Sequence, residues 1–297
     1  MSVVISSRNR PLELSECLRS IGQAVSADDE IIVVDSDSAD ASAVREVVVG
    51  FGAKLLRLEL PGSARARNEG ILNTKGDIIA FTDDDAIVEY EWLEKLVSGF
   101  IDPAVSAVVG PVFEMGSEPQ RLLYPSVGFD AASERATFSR SDPDWFARLR
   151  TGPIGLGANL AVRRSVFDQY GLFRESLGAG APIGGDENYF LLALIENGGT
   201  VVNEPLARVY HPRQPDERHR AMRNSRLAYL LYVFFTRPRL RLPMLFSVLR
   251  RASRGTQMPS QKPVASDGIL RELISAPTLL MEALRIDRAE SARRRRH

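Results

Sequence analysis

The chain has 297 residues, of which 44% are hydrophobic and 26% are charged, as expected for a folded protein with an ordinary core. Its single cysteine, Cys17, excludes an internal disulfide and any cysteine-rich metal site, and it fits a reducing compartment. The formal net charge of zero conceals an asymmetry, because residues 213–297 carry 19 Lys and Arg against 7 Asp and Glu, whereas residues 1–212 carry 19 against 31. An acidic body followed by a basic region suggests two tasks, one of which concerns an anionic surface.

Strand and helix patterns alternate from residue 2 onward, which predicts an α/β fold with a mostly parallel sheet, helices on both faces and right-handed crossovers. Because a strand follows Met1 directly, no signal peptide is expected. The predicted strands are Ser2–Ser6, Glu30–Val34, Lys54–Leu60, Asp77–Thr82, Val105–Val112, Leu160–Val162, Val201–Val202 and Ala207–Tyr210. The predicted helices are Pro11 to about Val25, Ala64–Thr74, Trp92–Phe100, Ser165–Tyr170 and Asp186–Asn197, with an irregular binding loop at 113–156.

The apolar run at 77–82 ends in three adjacent acids, Asp83, Asp84 and Asp85. Neighbouring carboxylates raise one another's pKa unless a cation or hydrogen bonds stabilise them. The carboxyl ends of parallel strands are also where open α/β sheets bind ligands. The pattern therefore predicts a divalent-metal site that holds a phosphate-bearing ligand. A solvated turn is the alternative, and one of the three acids is expected to cap the helix that begins near Glu89.

Six segments follow one another along the chain: Val3–Pro11, Ile31–Asp40, Gly62–Gly70, the acids at 83–85, Gly184–Glu187 and Val209–Pro212. This ordered set resembles the motifs of the family 2 glycosyltransferases, which have the GT-A (Rossmann-like) fold. The resemblance covers residues 1–212 and implies a catalytic domain there. After Pro212 the composition shifts to helices rich in arginine, which predicts a basic helical extension at 213–297 with a disordered tail at Arg293–Arg296. It also implies an inverting enzyme that moves a sugar from a nucleotide-diphospho-sugar to a hydroxyl acceptor, a glycan or a lipid-linked sugar.

The resemblance assigns the metal site to three side chains. Asp85 is implied to bind Mg²⁺ or Mn²⁺, which prefer carboxylate oxygens, and Asp83 is implied to face the metal or the ribose. His211 is implied to complete the site, since an imidazole nitrogen is an acceptable ligand for Mn²⁺. A loop residue that precedes Pro212 is the alternative for His211. Such a metal would offset the charge on the departing nucleotide diphosphate.

The remaining donor contacts are implied to come from polar side chains near the strand ends, namely Ser6, Arg8, Asp35, Arg67 and Asp84. A carboxylate such as that of Asp35 can accept a hydrogen bond from a base or from a ribose hydroxyl, and guanidinium groups match phosphate oxygens. For Arg65, contact with the ligand and a solvated helix face remain equally good interpretations. Asp40 is expected to be a helix N-cap.

On the acceptor side, Asp186 and Glu187 resemble the acidic pair of the family in reversed order. One of them is implied to be the general base that takes the proton from the acceptor hydroxyl. Glu187 falls at the position of the base, and Asp186 is the alternative. A simple helix N-terminal carboxylate is the other interpretation of both residues. The stretch Gly155–Arg164 resembles the segment that positions donor sugar and acceptor in the family.

The basic region contains an apolar run, Leu227–Phe235, that is too short to span a bilayer. Arginines separate it from a second apolar run at Leu242–Leu249, a pattern that suits a helix on an anionic inner leaflet. The expected location is therefore the cytoplasm, with peripheral binding to the inner face of the plasma membrane. A helix packed on the catalytic domain is an equally good alternative. Nucleic-acid binding is not expected, because the body is acidic and no recognition motif is present.

Two other functions are alternatives for this sequence. A sugar-phosphate nucleotidyltransferase should carry a glycine-rich loop after its first strand, but Ser6–Pro11 contains no glycine. A non-catalytic homologue that binds a sugar nucleotide is kept open by the reversed order of Asp186 and Glu187. It predicts nucleotide binding without turnover.

Overall fold

The computed structural model of the chain describes residues 1–123, 130–142, 156–212, 226–242 and 266–294. The chain divides into two compact units. The first unit comprises Met1–Phe173 and Glu187–Arg213, and the second comprises Arg174–Asp186 and Gln214–His297. A functional boundary at residue 212 stays a prediction.

Eleven strands are found among the described residues: β1 Ser2–Ser7, β2 Glu30–Ser36, β3 Lys54–Leu58, β4 Ile78–Asp83, β5 Ile87–Val88, β6 Val105–Val109, β7 Val112–Glu114, β8 Ala136–Phe138, β9 Leu160–Arg163, β10 Thr200–Asn203 and β11 Val209–His211. Eight of them form one sheet in the order β3-β2-β1-β4-β9-β6-β10-β8, and the other three form a small sheet in the order β5-β11-β7. In the large sheet β9 runs antiparallel to β4 and β6, and β8 runs antiparallel to β10, whereas the other pairs are parallel. The predicted mostly parallel α/β sheet is confirmed.

The helices of the described residues are α1 Pro11–Ala24, α2 Ala41–Gly50, α3 Ser63–Leu72, α4 Trp92–Ser98, α5 Arg164–Tyr170, α6 Asp186–Glu196, α7 Arg226–Thr236 and α8 Ser266–Arg294. Leu14 of α1, Val44 of α2 and Trp92 of α4 share one core cluster with Val3 and Ile5 of β1. Successive residues of a strand point to opposite faces, so Val4 lies on the face of the sheet opposite to Val3 and Ile5. Gly70 of α3 packs closely against Val4, because a Cβ added to Gly70 would lie 2.3 Å from Val4 Cγ1. Helices therefore cover both faces, as predicted.

Several sequence predictions of element bounds were wrong. The run at 105–112 does not form one strand but breaks into β6 and β7, which belong to different sheets. Pro111 has no amide hydrogen for the ladder, and its carbonyl accepts hydrogen bonds from Asn159 Nδ2 at 3.0 Å and from the Val209 amide at 3.3 Å. Helix α2 was missed, although its N-cap was predicted correctly, since Asp40 Oδ1 accepts from the Ala43 amide at 3.0 Å. None of the three acids caps α4, which begins at Trp92 with Glu91 at the N-cap and without a side-chain cap hydrogen bond.

The second unit contains α7, a 3₁₀ turn at Pro238–Leu240 and α8. Side-chain hydrogen bonds join the two helices, because Asp287 of α8 accepts from the Tyr232 hydroxyl of α7 at 2.6 Å and from Ser176 Oγ at 2.8 Å. Helix α8 includes Arg293 and Arg294, so the predicted disordered tail is helical in its first two residues, whereas residues 295–297 lie outside the described part. The second apolar run falls outside it as well, apart from Leu242.

Within the described residues, none of the helices combines the length and the apolar character needed to cross a bilayer.

Candidate active site

Strand register aligns the predicted site residues along one edge of the large sheet. Asp83 at the end of β4 pairs with Ser6 of β1, and Ser7 pairs with Asp35 of β2. Asp35 in turn pairs with Arg57 of β3. These parallel strands all end at the same edge, which is where ligands bind in open α/β sheets.

Three side chains converge at the end of β4. One ligand atom each from Asp83, Asp85 and His211 lies within 4.8 Å of the others. His211 Nε2 lies 3.0 Å from Asp85 Oδ1 and 3.6 Å from Asp83 Oδ2. The other ring nitrogen, Nδ1, lies 2.7 Å from the Pro212 carbonyl oxygen and donates to it, which turns Nε2 toward the carboxylates.

The small sheet explains how His211 reaches acids that precede it by more than a hundred residues in the chain. Directly after the acids the chain forms β5, in which Val88 pairs with Val209 of β11. On its other side β11 pairs with β7, with His211 opposite Glu114. The short strand β11 therefore ends with its histidine beside the acids, a placement that no local pattern in the sequence shows.

The pKa values of Asp83 and His211 are set mainly by the pairing of His211 with the carboxylates of Asp83 and Asp85. Burial alone would lower the pKa of His211, but the carboxylates of Asp83 and Asp85 outweigh it and raise this pKa to about 10. Burial would likewise raise the pKa of Asp83, but His211, Arg67 and Arg10 hold it at about 2. The imidazolium thus occupies the place of a cation between two carboxylates.

The donor set fits a hard divalent cation. Asp85 Oδ1 is buried, has no hydrogen-bond partner among the described residues and lies 3.0 Å from His211 Nε2. Two carboxylates and one imidazole suit Mg²⁺ or Mn²⁺, which complete their coordination with water or with phosphate oxygens. The residues present are therefore compatible with the metal that the resemblance implies.

Asp84 points away from this cluster and organises the loop after β1. Its carboxylate accepts hydrogen bonds from Ser7 Oγ at 2.9 Å, from the Arg8 amide at 3.2 Å and from Arg10 Nη1 at 3.0 Å. Burial and the charge of Asp85 raise the pKa of Asp84 to about 6, although Arg10 and Ser7 oppose this shift. Contact of Asp84 with a sugar nucleotide stays a prediction.

Arg10 is a site residue that the sequence interpretation missed. Its Nη1 atom lies 2.6 Å from Asp85 and 3.0 Å from Asp84, so one guanidinium joins the two acids. Adjacent carboxylates need a cation, and that requirement was the one available signal. Which of the four arginines in the Arg8–Arg10 and Arg65–Arg67 segments supplies it depends on the fold rather than on the local sequence.

Arg67 lies on α3 and reaches the first acid. It is buried, and its Nη2 atom lies 3.2 Å from Asp83 Oδ1. Gly157 lies against the guanidinium, because a Cβ at residue 157 would lie 2.3 Å from Arg67 Nη2. Helix α3 thus brings Arg67, a predicted phosphate contact, next to Asp83. Arg65 on the same helix is only half-buried and donates to the Pro61 carbonyl at 3.3 Å.

Gly157→Ala is expected to move Arg67 rather than the backbone, because the clashing atom is the tip of a flexible side chain. Losing one charged hydrogen bond costs on the order of 2 kcal/mol, so nucleotide affinity should fall by at least 10-fold with little change in melting temperature. Isothermal calorimetry and thermal unfolding measure the two quantities. Gly22→Ala is the matched control, because a Cβ there meets nothing within 4 Å. Equal nucleotide affinity of the two variants would contradict a role for Arg67.

Asp35 is fully buried, and both of its oxygens are engaged within the protein. Oδ1 accepts from the Ser38 amide at 3.0 Å, and Oδ2 pairs with Arg57 Nη1. A direct contact between Asp35 and a base would therefore require Arg57 to move. The sequence interpretation missed Arg57, whose pairing with Asp35 follows from their register across β2 and β3.

The two acids of the acceptor side occupy the first positions of α6. Asp186 is 3% exposed, whereas Glu187 is half-buried. Gly185, directly before them, has a φ of 92°, a left-handed conformation that glycine adopts without strain. Their role as general base stays a prediction, as does the contact of Ser6 with the ligand.

Solved structures define the class of fold. The mannosyltransferase PcManGT from Pyrobaculum calidifontis, solved with GDP-Man and Mn²⁺, has a TM-score of 0.54 and 21% identity, with 98% of this chain and 74% of that chain covered. S. aureus TarS 1-349, solved with UDP-GlcNAc, has a TM-score of 0.56 and 16% identity, with coverage of 77% and 66%. The fold is therefore that of the GT-A glycosyltransferases, as the resemblance implied.

Sequence comparisons define the family. The model described as Glycosyl transferase family 2 matches residues 2–171, and the chain belongs to that family. Glycosyltransferase AglE of Haloferax volcanii is 28% identical over 191 residues, and succinoglycan biosynthesis protein ExoM of Rhizobium meliloti is 30% identical over 225 residues. These matches cover 62% and 71% of this chain, and they span 59% and 66% of the two relatives.

Proposed function

We propose that this chain transfers a sugar from a nucleotide-diphospho-sugar to a hydroxyl group of a glycan or lipid-linked acceptor, with inversion and with Mg²⁺ or Mn²⁺. The observation that carries the proposal is the convergence of Asp83, Asp85 and His211 at the carboxyl edge of the sheet. Family membership supports the reaction class, and the sugar nucleotides named for PcManGT and TarS support the donor class. The name of ExoM supports an acceptor in polysaccharide synthesis.

The donor side would work through charge compensation. Asp83, Asp85 and His211 would hold the ion, which when bound neutralises charge on the nucleotide diphosphate that leaves. Arg67 would orient the diphosphate beside Asp83, since a guanidinium matches phosphate oxygens. The positive charge of Arg10 would offset the repulsion between the Asp84 and Asp85 carboxylates and would hold the Asp85 carboxylate in place.

The acceptor side would work through general-base catalysis. Glu187, or alternatively Asp186, would take the proton from the acceptor hydroxyl as its oxygen attacks the anomeric carbon. The bond between the anomeric carbon and the diphosphate oxygen breaks in the same step, and its electron pair leaves with the nucleotide diphosphate. Attack from the opposite side inverts the anomeric configuration.

The alternatives are unequally supported. The family match favours a glycosyltransferase over the sugar-phosphate nucleotidyltransferase. A non-catalytic homologue remains a distinct hypothesis, because the reversed Asp186-Glu187 order is compatible with nucleotide binding without transfer. Donor turnover measured with a panel of glycan and lipid-linked acceptors separates the two, since the non-catalytic homologue shows none.

Binding of Mn²⁺ is expected to release about one proton near neutral pH. His211 has a raised pKa of about 10 in the metal-free protein and is therefore protonated there, whereas a ligand nitrogen must be deprotonated. Metal affinity should consequently rise with pH, by roughly 10-fold per unit below that pKa. Calorimetry in two buffers of different ionisation enthalpy measures the proton count. His211→Gln should remove the proton release, and release of no proton by the wild type would contradict ligation by His211.

Peripheral membrane binding is part of the proposal for the second unit. Phe234, Phe235 and Leu242 are exposed. Arg237 and Arg241 lie in the chain between the two phenylalanines and Leu242. Exposed apolar side chains next to arginines suit the surface of an anionic bilayer. The full chain is expected to co-sediment with anionic liposomes more than with zwitterionic ones, and Phe234→Ser with Phe235→Ser should weaken this. Equal sedimentation with both liposomes would contradict the membrane role.

A further inference from the structure

Residues 174–186 form a loop that leads directly into the two acids of the acceptor side. Helix α6 begins at Asp186, and Glu187 is its second residue. The loop belongs to the second compact unit, together with residues 214–297, and not to the unit that contains the large sheet. We call residues 174–186 the acceptor loop. Whatever fixes the acceptor loop therefore also fixes the chain directly before the two acids.

The acceptor loop is closed by a bridge between its own residues. Leu177 forms a parallel bridge with Ile183, and the Gly178 amide donates to the Ile183 carbonyl at 2.8 Å. Leu177 and Ile183 are both buried. Gly178 has a φ of 100°, in the left-handed region that glycine adopts without strain, so the chain can turn there. Because only two residues separate Ile183 from Asp186, a displacement of the bridge also displaces the chain that enters α6.

Side-chain hydrogen bonds tie the acceptor loop to the two C-terminal helices. Ser176 Oγ, one residue before the bridge, donates to Asp287 Oδ1 of α8 at 2.8 Å. The Tyr232 hydroxyl of α7 donates to the other carboxylate oxygen, Oδ2, at 2.6 Å and lies 3.1 Å from Ser176 Oγ. Ser176 and Tyr232 are both 0% exposed. We call these three residues the Ser176–Tyr232–Asp287 cluster.

Each oxygen of the Asp287 carboxylate holds a different element. Oδ1 accepts from the acceptor loop, whereas Oδ2 accepts from α7. Hydrogen bonds to a carboxylate are shorter and roughly twice as strong as those between neutral groups. Because Ser176 is closed off from water, it cannot exchange its bond to Asp287 for one to solvent. The bond therefore favours a single position of the acceptor loop relative to α7 and α8.

Holding the two helices together does not by itself account for this arrangement. Joining α7 to α8 needs only the bond between Tyr232 and Asp287. Replacing buried charged groups by well-packed apolar ones is often neutral or stabilising, so a carboxylate between helices is weak evidence for stability. Asp287 directs its second oxygen at Ser176, which a contact between the helices does not require. The arrangement therefore indicates that the cluster determines the position of the acceptor loop.

We propose that Asp287 is a positioning residue for sugar transfer, which acts through Ser176 on the loop that leads to the general base. This inference rests on the proposed function, in which Glu187 or Asp186 takes the proton from the acceptor hydroxyl. Proton transfer requires the base within about 2.6–3.2 Å of the hydroxyl, and misplacement by about 1 Å can lower a rate by about 100-fold. The C-terminal helices thereby take part in the acceptor side of the reaction. The metal and nucleotide contacts lie on other segments and should be independent of the cluster.

Ser176→Ala removes the bond between the acceptor loop and Asp287 and keeps the bond between Tyr232 and Asp287. The kcat of sugar transfer is expected to fall about 10- to 100-fold, whereas nucleotide affinity with Mn²⁺ should stay within about twofold of the wild type. Steady-state kinetics and calorimetry measure the two quantities, and thermal unfolding shows whether the variant is folded. Ser98→Ala is the matched control and should change neither quantity, because it removes a hydrogen bond of 2.8 Å to the Lys95 carbonyl within α4.

The outcomes separate this inference from the proposed function. Wild-type kcat in the folded Ser176→Ala variant would overturn the inference, and so would a loss of nucleotide affinity as large as the loss of kcat. Absence of transfer by the wild type with every acceptor would instead contradict the proposed function, and the inference with it.

Asp287→Asn is a second variant, which keeps the shape of the side chain. Its amide oxygen can accept from Ser176 and its amide nitrogen can donate to the Tyr232 hydroxyl oxygen. It should therefore retain a larger kcat than Asp287→Ala, which can do neither. Equal kcat in the two variants would overturn the role of the carboxylate oxygens.

A double-mutant cycle separates positioning of the base from a general loss of stability. Ser176→Ala is combined with Glu187→Gln or with Asp186→Asn, whichever of these has the larger loss of kcat. Because residues that act as a unit are not additive, Ser176→Ala should lower kcat by less than about twofold in that background. A purely structural role would lower kcat by the same factor with and without the base, and that result would overturn the inference.

Discussion

Asp85→Asn is expected to lower Mn²⁺ affinity by at least about 100-fold and to remove the metal-dependent part of nucleotide binding. Even residues that only support a metal ligand change affinity by about 10- to 100-fold, and Asp85 would contact the ion directly. The substitution keeps the shape of the side chain but removes the charge that faces His211 Nε2 at 3.0 Å and Arg10 Nη1 at 2.6 Å. The loss should therefore come from ligation rather than from a cavity.

Calorimetric titration of Mn²⁺, and then of a nucleotide with and without Mn²⁺, measures this effect. Thermal unfolding shows whether the variant remains folded. Asp28→Asn is the control, because it makes an equal change of charge at an exposed residue before β2, away from Asp83, Asp85 and His211. Wild-type Mn²⁺ affinity in the folded Asp85→Asn variant would show that the cluster of Asp83, Asp85 and His211 is not the metal site.

Glu187→Gln is expected to lower the rate of sugar transfer by about 100- to 10,000-fold, the usual contribution of a general base, while donor binding stays unchanged. Glu187 is half-buried at the first turn of α6, whereas Asp186 is 3% exposed, and this difference favours Glu187 as the residue that meets an acceptor. Glutamine keeps the length and the hydrogen-bonding capacity of the side chain but cannot take a proton at neutral pH.

Comparison with Asp186→Asn assigns the role between the two acids. If Glu187 is the base, its variant should lose transfer in kcat at unchanged donor affinity, and Asp186→Asn should lose less. If the larger loss in kcat follows Asp186→Asn, the base is Asp186. Wild-type transfer in both variants would contradict general-base catalysis by this pair.

The fold was predictable largely because its signals are local. Buried strands such as β1 and β4 are continuous apolar runs, and Pro11 marks the first turn of α1. What local patterns could not show is direction and pairing. Strand β9 is as apolar as its neighbours, yet it runs against both of them in the centre of the sheet. Its direction depends on the path of the chain, which composition does not reveal.

The site shows the same division. Asp83, Asp85 and His211 were predicted because each stands in a motif of its own along the chain. Arg10 and Arg57 were missed because their importance arises only from partners on other strands, namely Asp85 and Asp35. Asp35 itself lies where it was predicted, but its carboxylate is closed off by Arg57 and by the Ser38 amide. Register across the sheet, rather than local sequence, determines which charged side chains meet at this edge.

The most direct measurement is a thermal-unfolding panel of the wild-type chain with UDP, GDP, dTDP and CDP, each with and without Mn²⁺. A ligand that binds only the native state stabilises it by about 2.7 kcal/mol at one hundred times its dissociation constant. At least one nucleotide should raise the melting temperature by several degrees, and only when Mn²⁺ is present. No shift with any nucleotide, or an equal shift without Mn²⁺, would contradict a metal-dependent donor site.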